Sequence, residues 1–553
     1  MTRESDLARR STEIRRFFRS TTSNKPVVSQ FLHDVELEMK EYQVEINRLK
    51  TAIYAIESKR DKLKRTADLY KSLLSPIHTM PSEILSMIFA IFCKENVLSR
   101  STLPEALRLS MVCGRWRDIV YSAPRLWSSI RIDFRAWTKD FHILDELTEH
   151  FMKKSGSSPL RLSLTFSAKE SNDAQSAREG SQIALKTLVG HCERWENVFL
   201  TVAPTYFPSS IFNPIRGRLP LLVSLDLDRE GDDAAWELVF DYFAICPALR
   251  TLCISPQLFE PEEVSLPWDQ VVSLQMKTSF NTRAFPLLSL CPRVEHLEVC
   301  RIGGQGDDAN DYLGHIISSS VKTLNITACD QADVDGTLQH TTLREISSLS
   351  ICGRHDFYAP AIWPKWNELH LQSFLQRSSC RISSLTLKCL PITSEQMISL
   401  LRMIPTIESL CIEELHQEHE NRIVTRTFLD SFAAGAPAHL PSSTPLIPRL
   451  TDLRLVVHVK HLESETFLKA LSSRWAPDPT NAVEIDVACL RSVAIVVILN
   501  DGDKEGDLDG LLCFADAGVR LSITYGTLSE SYSDDDEGGL GGTDGNNEGE
   551  GVL

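Results

Sequence analysis

Two hexapeptides that begin 25 residues apart share one apolar pattern: Ile382-Ser383-Ser384-Leu385-Thr386-Leu387 and Ile407-Glu408-Ser409-Leu410-Cys411-Ile412. Apolar residues occupy the first, fourth and sixth positions of both. The pattern recurs between residues 195 and 495, with copies that start at Trp195, Leu222, Leu249, Val271, Val294, Val321, Ile346, Trp366, Ile382, Ile407, Leu450 and Leu490. Successive copies mostly start 20 to 27 residues apart, so a short unit is repeated along this region.

Each copy predicts a β-strand with one buried face. Alternate residues of a strand point to opposite sides, so the last two apolar residues of a copy lie on the same side. Helical spacing of apolar residues separates several copies, as at Met397, Leu400, Leu401 and Ile404 before Pro405. Strands that alternate with helices predict an α/β architecture with a parallel sheet.

The period and the pattern resemble those of leucine-rich repeats. The resemblance implies a curved leucine-rich-repeat-like α/β solenoid over residues 155–528, in which neighbouring units share a continuous core. The repeats depart from the family at the position three residues after the last apolar strand residue, which is usually Asn or Cys. Five copies have other residues there, and one matches with Cys329; the five are Glu230, Gln257, Ile302, Leu390 and Leu415. We therefore describe the repeats as degenerate.

Residues 31–74 predict a long N-terminal helix. Residues spaced alternately four and three apart form a heptad pattern at Val35, Met39, Tyr42, Ile46, Leu49, Ile53, Ile56, Arg60, Leu63, Ala67, Tyr70 and Leu74. No Gly or Pro interrupts the segment, although Arg60 and Ala67 weaken the apolar row. One helix cannot bury this row by itself. Two alternatives remain open, namely coiled-coil pairing with a second copy through residues 35–74 and docking onto the chain's own next domain.

A group of motifs follows between residues 75 and 130. The first is Met80-Pro81-x-Glu83-Ile84-Leu85-x-x-Ile88-Phe89, which predicts a helix with Pro81 in its first turn. The second is Leu109-Ser110-x-Val112-Cys113-x-x-Trp116, within one amphipathic helix predicted from Ala106 to Ile119. The third is Pro124-x-Leu126-Trp127. In their order and spacing the three motifs resemble an F-box. A heptad helix, an F-box and a repeat region in this order also resemble fungal F-box proteins.

The resemblance implies a small α-helical domain that docks on the Skp-type adaptor of a cullin-RING (SCF) ubiquitin ligase. The residues implied in adaptor binding are Pro81, Ile84, Leu85, Ile88, Phe89, Leu109, Val112 and Trp116. The alternative is that these residues form the core of the domain itself, Trp116 among them. In the first case the chain recruits a protein substrate through its repeats and is not an enzyme. The rival function is a non-degradative interaction scaffold dimerised by the heptad helix.

Acidic charge is concentrated at the C-terminus. The net charge is −16, and residues 529–553 carry eight acidic residues and no Lys or Arg. This tail has few apolar residues to bury, so we predict that it is disordered. We predict the same for the basic arm at residues 1–30. An acidic balance argues against nucleic acid as a partner, and no apolar stretch is long enough to suggest a membrane span. We expect a cytoplasmic and/or nuclear protein.

The remaining motifs do not predict a metal, a cofactor or a catalytic group. Fourteen cysteines are scattered singly, which is typical of reduced, buried thiols. Residues 501–509 imitate half of an EF-hand loop, but the twelfth position is Leu512 and not Glu, so we predict an acidic turn. His416 and His419 are interpreted as part of a polar loop, and Gly303-Gly304-Gln305-Gly306 as a turn without phosphate-binding spacing.

Overall fold

The structure is a computed structural model. It describes residues 12, 15, 25–137, 139–166, 180–202, 209–229, 240–254, 264–278, 286–301, 316–318, 320–353, 363, 365–414, 422–433, 445–459, 463–475, 487–499, 509–511, 514 and 518–527. Several predicted features lie outside these residues: the acidic tail, most of the basic arm, the EF-hand-like sequence up to residue 508, the His416–His419 loop and the glycine turn at 303–306.

The described helices and strands alternate along most of the chain. The helices are α1 (Lys25–Leu73), α2 (Ser82–Phe92), α3 (Glu105–Ser110), α4 (Gly114–Ser122), α5 (Phe141–Ser155), α6 (Gln182–Gly190), α7 (Ser209–Phe212), α8 (Pro286–Leu290), α9 (Gln331–His340), α10 (Leu369–Ser378), α11 (Ser394–Met403), α12 (Arg426–Phe432) and α13 (Ser464–Ser473). The strands are β1 (Asn96–Val97), β2 (Ser129–Asp133), β3 (Leu160–Thr165), β4 (Trp195–Val202), β5 (Ser224–Arg229), β6 (Thr251–Ile254), β7 (Ser273–Thr278), β8 (His296–Arg301), β9 (Ile316–Ser318), β10 (Thr323–Ala328), β11 (Thr341–Leu343), β12 (Ser348–Gly353), β13 (Ser384–Lys388), β14 (Ser409–Glu413), β15 (Asp452–His458), β16 (Ser492–Leu499) and β17 (Arg520–Thr527).

The chain divides into two compact units, Met1–Leu85 and Ser86–Leu553. The first contains α1, a single helix of 49 residues. It begins at Lys25, so residues 25–30 are helical and not part of a disordered arm. The heptad spacing continues backwards through Leu32 and Val28, whose side chains are exposed like most other apolar residues of the row, whereas Val35 is partly buried.

The second unit is organised around one large parallel sheet. Fifteen of the described strands form it in chain order, β1 to β8, then β10, and then β12 to β17, and every neighbouring pair is parallel. The two remaining strands, β9 and β11, pair with each other. Parallel neighbours require a crossover, and many of the crossovers contain the helices between them. The predicted α/β architecture with a large parallel sheet is confirmed.

The repeated pattern determines the register of the sheet. In β13 and β14, Leu385 is opposite Leu410 and Leu387 is opposite Ile412, and all four side chains are buried. The residues between them, such as Thr386, are only partly buried. A slip of one residue would turn the apolar row to the opposite side of the sheet, so burial selects this register.

Eleven of the twelve copies of the pattern overlap a strand, and the copy that starts at Trp366 does not. There the strand prediction is wrong, because α10 begins at Leu369. Leu371, Phe374 and Ser378 are buried at helical spacing, while Leu369 is 65% exposed. The apolar residues therefore satisfy a helical period that continues beyond the hexapeptide.

The sheet also extends beyond the copies of the pattern. β1, β2 and β3 precede the first copy, and β17 follows the last. β1 is only two residues long and lies between the first and the second of the three motifs in residues 75–130. Asn96 is paired with Ile130 and Val97 with Arg131, so this segment supplies an edge strand of the sheet.

Candidate adaptor-binding surface

The helix α2 has two apolar faces with different surroundings. Leu85, Phe89 and Cys93 follow one another at intervals of four residues, and each is at most 3% exposed. The opposite face is apolar as well, and its side chains are between 43% and 78% exposed. We call this set the exposed α2 face: Ile84, Met87, Ile88, Ile91 and Phe92. A contiguous apolar face left open to water is typical of a protein-contact surface.

The sequence at the start of α2 explains where the helix begins. The backbone N–H of Leu85 donates to the carbonyl oxygen of Pro81 at 3.1 Å, which closes the first turn. Pro81 is exposed and lacks an N–H group, which the first turn does not need. Glu83 lies in this turn, where the helix dipole favours negative charge.

The second predicted helix is divided into α3 and α4, so the prediction of one continuous helix is wrong. The backbone of Cys113 is extended (φ −158°, ψ 170°), and its Sγ accepts the N–H of Trp116 at 3.5 Å as the N-cap of α4. The guanidinium Nε of Arg117 donates to the carbonyl oxygen of Ser110 at 3.0 Å and joins the two helices. The break leaves Met111 64% exposed and Val112 59% exposed.

Aromatic contacts hold α2 against these helices. The rings of Phe89 and Trp116 have centroids 4.7 Å apart at 54°, a geometry favourable for aromatic pairs. The guanidinium of Arg108 lies 5.6 Å from the ring centroid of Phe92. Phe92 is 45% exposed, so a cationic side chain borders the exposed α2 face at this end.

Asn96 connects the helices to the first strands of the sheet. Its side chain is fully buried, and Nδ2 donates to the carbonyl oxygens of Leu126 and Ser129, both at 2.9 Å. Its Oδ1 accepts the N–H of Ala106 at 2.9 Å. One buried amide thereby satisfies three backbone groups from three different segments, as buried polar groups require.

Trp127 closes the segment against α5. Its indole N–H donates to the carbonyl oxygen of Val120 at 2.9 Å, and the side chain is fully buried. The ring centroid lies 5.1 Å from that of Phe151 and 5.3 Å from that of Tyr121. The last motif of the segment is therefore packed between α4 and the first helix that follows it.

The structure separates the eight residues implied in adaptor binding into two groups. Four are exposed, namely Pro81, Ile84, Ile88 and Val112. Three are buried, namely Leu85, Phe89 and Leu109, and Trp116 is partly buried against Phe89. The buried side chains are not accessible to a partner. Four exposed apolar residues nearby are not among the residues implied in adaptor binding: Met87, Ile91, Phe92 and Met111.

A second site lies on the sheet. It is polar, and it is on the side of the sheet away from the buried apolar rows. The Nζ of Lys277 on β7 lies 3.1 Å from Oδ1 of Asp226 and 3.9 Å from Oδ2 of Asp228, both on β5. The ammonium also lies 5.3 Å from the ring centroid of Phe199. On β8, the Sγ of Cys300 donates to a carboxylate oxygen of Glu298. Partly buried polar groups thus continue across neighbouring strands.

Burial affects the charges of this cluster. It raises the pKa of the Asp226 carboxyl, against the opposing effect of the Lys277 ammonium. Burial lowers the pKa of Lys277, but the carboxylates of Asp226 and Asp228 more than reverse this effect, so its pKa is raised overall. Lys277 therefore remains protonated at neutral pH.

Burial makes several of the described cysteines unreactive. The described cysteines are free thiols, as the sequence predicts. Burial raises the pKa of Cys93 to about 12, with a further contribution from Glu105, and raises the pKa values of Cys246 and Cys291 to about 12. Thiols of this kind are poor nucleophiles and poor metal ligands, because both roles need the thiolate.

The described residues contain neither a metal-binding cluster nor a membrane-spanning helix. No group of three or more His, Cys, Asp or Glu side chains there could hold a metal ion. No described helix is both long and apolar enough to cross a membrane.

Comparison with known proteins identifies the class of the segment that contains α2, α3, α4, β1 and β2. A family model described as F-box-like matches residues 77–133. No curated protein matches the chain. The match supports an F-box protein, in agreement with the resemblance carried by the three motifs. F-box proteins are typically substrate adaptors of SCF ubiquitin ligases, and F-box domains typically bind Skp-type adaptors.

Proposed function

We propose that the protein is the substrate-recruiting subunit of an SCF-type ubiquitin ligase. In this proposal the F-box-like segment binds a Skp-type adaptor, which connects it to a cullin, and the parallel sheet presents a protein target. The protein supplies proximity between the target and a ubiquitin-charged enzyme and is not itself an enzyme. The observation that carries the proposal is the F-box-like match at residues 77–133, together with the exposed apolar residues on α2.

The exposed α2 face has the composition of a binding surface. Ile88 and Met87 are 44% and 64% exposed, and Val112 is 59% exposed in the connection between α3 and α4. Covering such side chains removes apolar surface from water, which is the main driving force of protein association. We assign the adaptor contact to these exposed residues. Leu85, Phe89 and Leu109 are buried, so we do not assign the adaptor contact to them.

The repeat region supports the second half of the proposal. We propose that it is a degenerate leucine-rich-repeat-like solenoid, as in fungal F-box proteins with an N-terminal coiled coil. Strands in chain order, each paired with the next, are the arrangement expected for stacked repeats. We place the target on the polar side of the sheet, where Asp226, Lys277 and Glu298 lie.

The position of β1 connects part of the proposed adaptor site, Ile88 and Val112, to the sheet within one unit. Residues 86–553 form a single compact unit. Ile88 and Val112 belong to this unit, and the backbone pairing runs from Asn96 through Ile130 to Leu162. A target held on the sheet would keep a fixed orientation relative to the adaptor, which favours transfer to a limited set of its lysines.

A binding measurement with the purified full-length chain and a purified Skp-type adaptor tests the proposal. Ile88→Asp should weaken adaptor binding at least about tenfold, because a charge replaces a contacting apolar group. The matched control is Ile183→Asp on α6, a side chain that is also exposed, at 61%. It should leave the binding unchanged. Absence of binding by the unaltered chain, or equal binding by both variants, would refute the proposal.

A non-degradative scaffold is the second candidate, and the exposed heptad row of α1 favours it. In that case the helix dimerises the chain, the repeats bind a partner, and the F-box-like segment binds no adaptor. Affinity capture followed by mass spectrometry distinguishes the two functions. Recovery of the adaptor and a cullin with the chain supports the ligase, whereas recovery of other partners without them supports the scaffold.

A further inference from the structure

The helix α1 has an exposed apolar row over almost its whole length. In heptad notation the d positions are Val28, Val35, Tyr42, Leu49, Ile56, Leu63 and Tyr70, and the a positions are Leu32, Met39, Ile46, Ile53, Arg60, Ala67 and Leu74. Of these, Ile46, Leu49 and Ile53 near the centre are 44% to 54% exposed. Spacing of this regularity predicts a second helix as the covering element.

We propose that α1 pairs with α1 of a second copy in antiparallel orientation, in a register where the numbers of opposing core residues add to 102. The occupant of the apolar row is thus another copy of this chain. The inference rests on α1 alone and goes beyond the proposed ligase function, which requires only the F-box-like segment and the sheet.

The register is supported by the layers that it forms. In an antiparallel pair each a residue opposes a d residue of the partner. With the sum of 102, every residue of the row from position 28 to position 74 has a partner. The seven distinct layers are Val28 with Leu74, Leu32 with Tyr70, Val35 with Ala67, Met39 with Leu63, Tyr42 with Arg60, Ile46 with Ile56, and Leu49 with Ile53. The overlap is complete, so no apolar layer remains uncovered.

Arg60 decides between the two orientations. In a parallel, in-register pair, Arg60 would oppose its own copy at an a position, where two like charges repel. In the antiparallel register it opposes Tyr42, whose ring can accept a guanidinium on its face. The hydroxyl of Tyr42 donates to Oε1 of Glu38 at 2.8 Å, so a carboxylate lies next to the same layer. The residue that weakens a parallel seam is accommodated in an antiparallel one.

The flanking charges favour the same orientation. An antiparallel pair brings g positions opposite g positions and e positions opposite e positions. Glu45 then faces Lys59, and Glu36 faces Lys64, and each contact occurs twice by symmetry. The unfavourable contact is Lys50 with its own copy, which occurs once. A parallel pair would instead form two attractive contacts of Glu45 with Lys50 and two repulsive contacts of Lys59 with Lys64. The attraction and the repulsion would cancel.

Contacts within the helix do not oppose this pairing. Glu45 binds Arg48 one turn later at 2.9 Å, but both side chains are more than half exposed. Such a surface pair is weak and leaves the carboxylate accessible to a second cation. Arg48 is at a c position, outside the seam, so the ion pair and the proposed contact of Glu45 with Lys59 are compatible.

Distance measurements on the full-length chain test the orientation. Spin labels attached to a ketone-bearing amino acid at Thr51 or at Leu37 avoid the native cysteines, and both residues occupy outward-facing f positions. In the antiparallel dimer the two labels at residue 51 have no axial offset, whereas those at residue 37 are offset by about 42 Å. A parallel dimer gives equal distances at both positions, and this outcome would overturn the proposal.

Charge reversal provides an independent test through the dimer dissociation constant, measured by sedimentation at low salt. Lys59→Glu should weaken an antiparallel dimer about tenfold, because two attractive contacts become repulsive. Adding Glu45→Lys should restore the affinity. In a parallel dimer Lys59→Glu would instead strengthen association, since it removes the repulsion from Lys64. Strengthening by Lys59→Glu, or a chain that stays monomeric at about 100 μM, would contradict the inference.

Discussion

The side-chain amide of Asn96 donates to the carbonyl oxygen of Ser129 at 2.9 Å, across 33 residues of chain. Asn96 is in β1 and Ser129 begins β2, and the two strands are paired in parallel. The same amide holds the N–H of Ala106 at the beginning of α3. One side chain therefore fixes the F-box-like helices to the edge of the sheet.

Replacement of Asn96 should destabilise this connection selectively. Asn96→Ala leaves the carbonyl oxygens of Leu126 and Ser129 and the N–H of Ala106 without their partner, at a cost of about 2–3 kcal/mol. Hydrogen exchange monitored by mass spectrometry should show faster exchange in β1, β2 and α3 and unchanged exchange in β13 and β14. Equal acceleration across the whole sheet would contradict this local role.

The two faces of α2 should respond differently to truncation. Leu85→Ala removes a fully buried side chain and should lower the free energy of unfolding by about 2–5 kcal/mol. Ile88→Ala, at a side chain that is 44% exposed, should lower it by less than about 1 kcal/mol. Thermal unfolding of the two variants in parallel checks this contrast. Because Leu85 is buried, a loss of adaptor binding by Leu85→Asp would report unfolding, and Ile88 is the better probe of contact.

Thiol labelling should report the burial of Cys93. With a pKa raised to about 12 by burial, only about one molecule in ten thousand carries the thiolate at pH 8. Alkylation of the native chain should be slow and should accelerate about tenfold for each pH unit between 7 and 9. Peptide mapping by mass spectrometry measures the rate, and the chain in denaturant is the control. Rapid native labelling at pH 7 would contradict the buried position.

Arg474 should be essential for the region that joins α12 to β15. Its guanidinium is buried and donates to the carbonyl oxygens of Phe432, Leu446 and Ile447. Burial lowers the pKa of Arg474 to about 10, so it stays charged at neutral pH. Arg474→Lys keeps the charge but cannot span three carbonyl groups.

We expect Arg474→Lys to lower the stability by about 2–4 kcal/mol, since buried acceptors lose their donors. Thermal unfolding measures the effect. The control is Arg402→Lys, because Arg402 is an exposed cation on α11. A melting temperature equal to that of the unaltered chain would show that the three hydrogen bonds contribute little.

The parts of the fold that could be predicted are those with a long, regular period. The heptad row predicts α1. The hexapeptide pattern predicts β4 to β8 and most later strands, because burial of one strand face requires apolar residues at alternate positions. β1 could not be predicted, since two residues carry no period. Its strand is defined by pairing with Arg131 and Ile130, which are distant in the sequence. At Leu369 the short apolar pattern was compatible with a strand and with a helix. The burial of Phe374 selected the helix.

The candidate site could be located but not resolved from the sequence. The motifs identified α2, yet apolar residues occupy both of its faces, as Leu85 and Ile88 illustrate. Which face is covered depends on Trp116, which packs against Phe89 from another helix. Such a contact depends on tertiary structure. The exposure of Met87 and Ile91 could therefore be recognised only from the three-dimensional structure.

The pairing of β1 with β2 and of β2 with β3 has a consequence for engineering. The F-box-like match ends at residue 133, the last residue of β2. A cut at this point would strip β3 of its neighbour and leave an unpaired sheet edge open to aggregation. The F-box-like segment therefore cannot be exchanged as an independent unit. A chimera should retain α5 with the N-terminal part, because Phe151 of α5 packs against Trp127. If the junction follows β3, the new partner must supply a strand that pairs with β3 in place of β4.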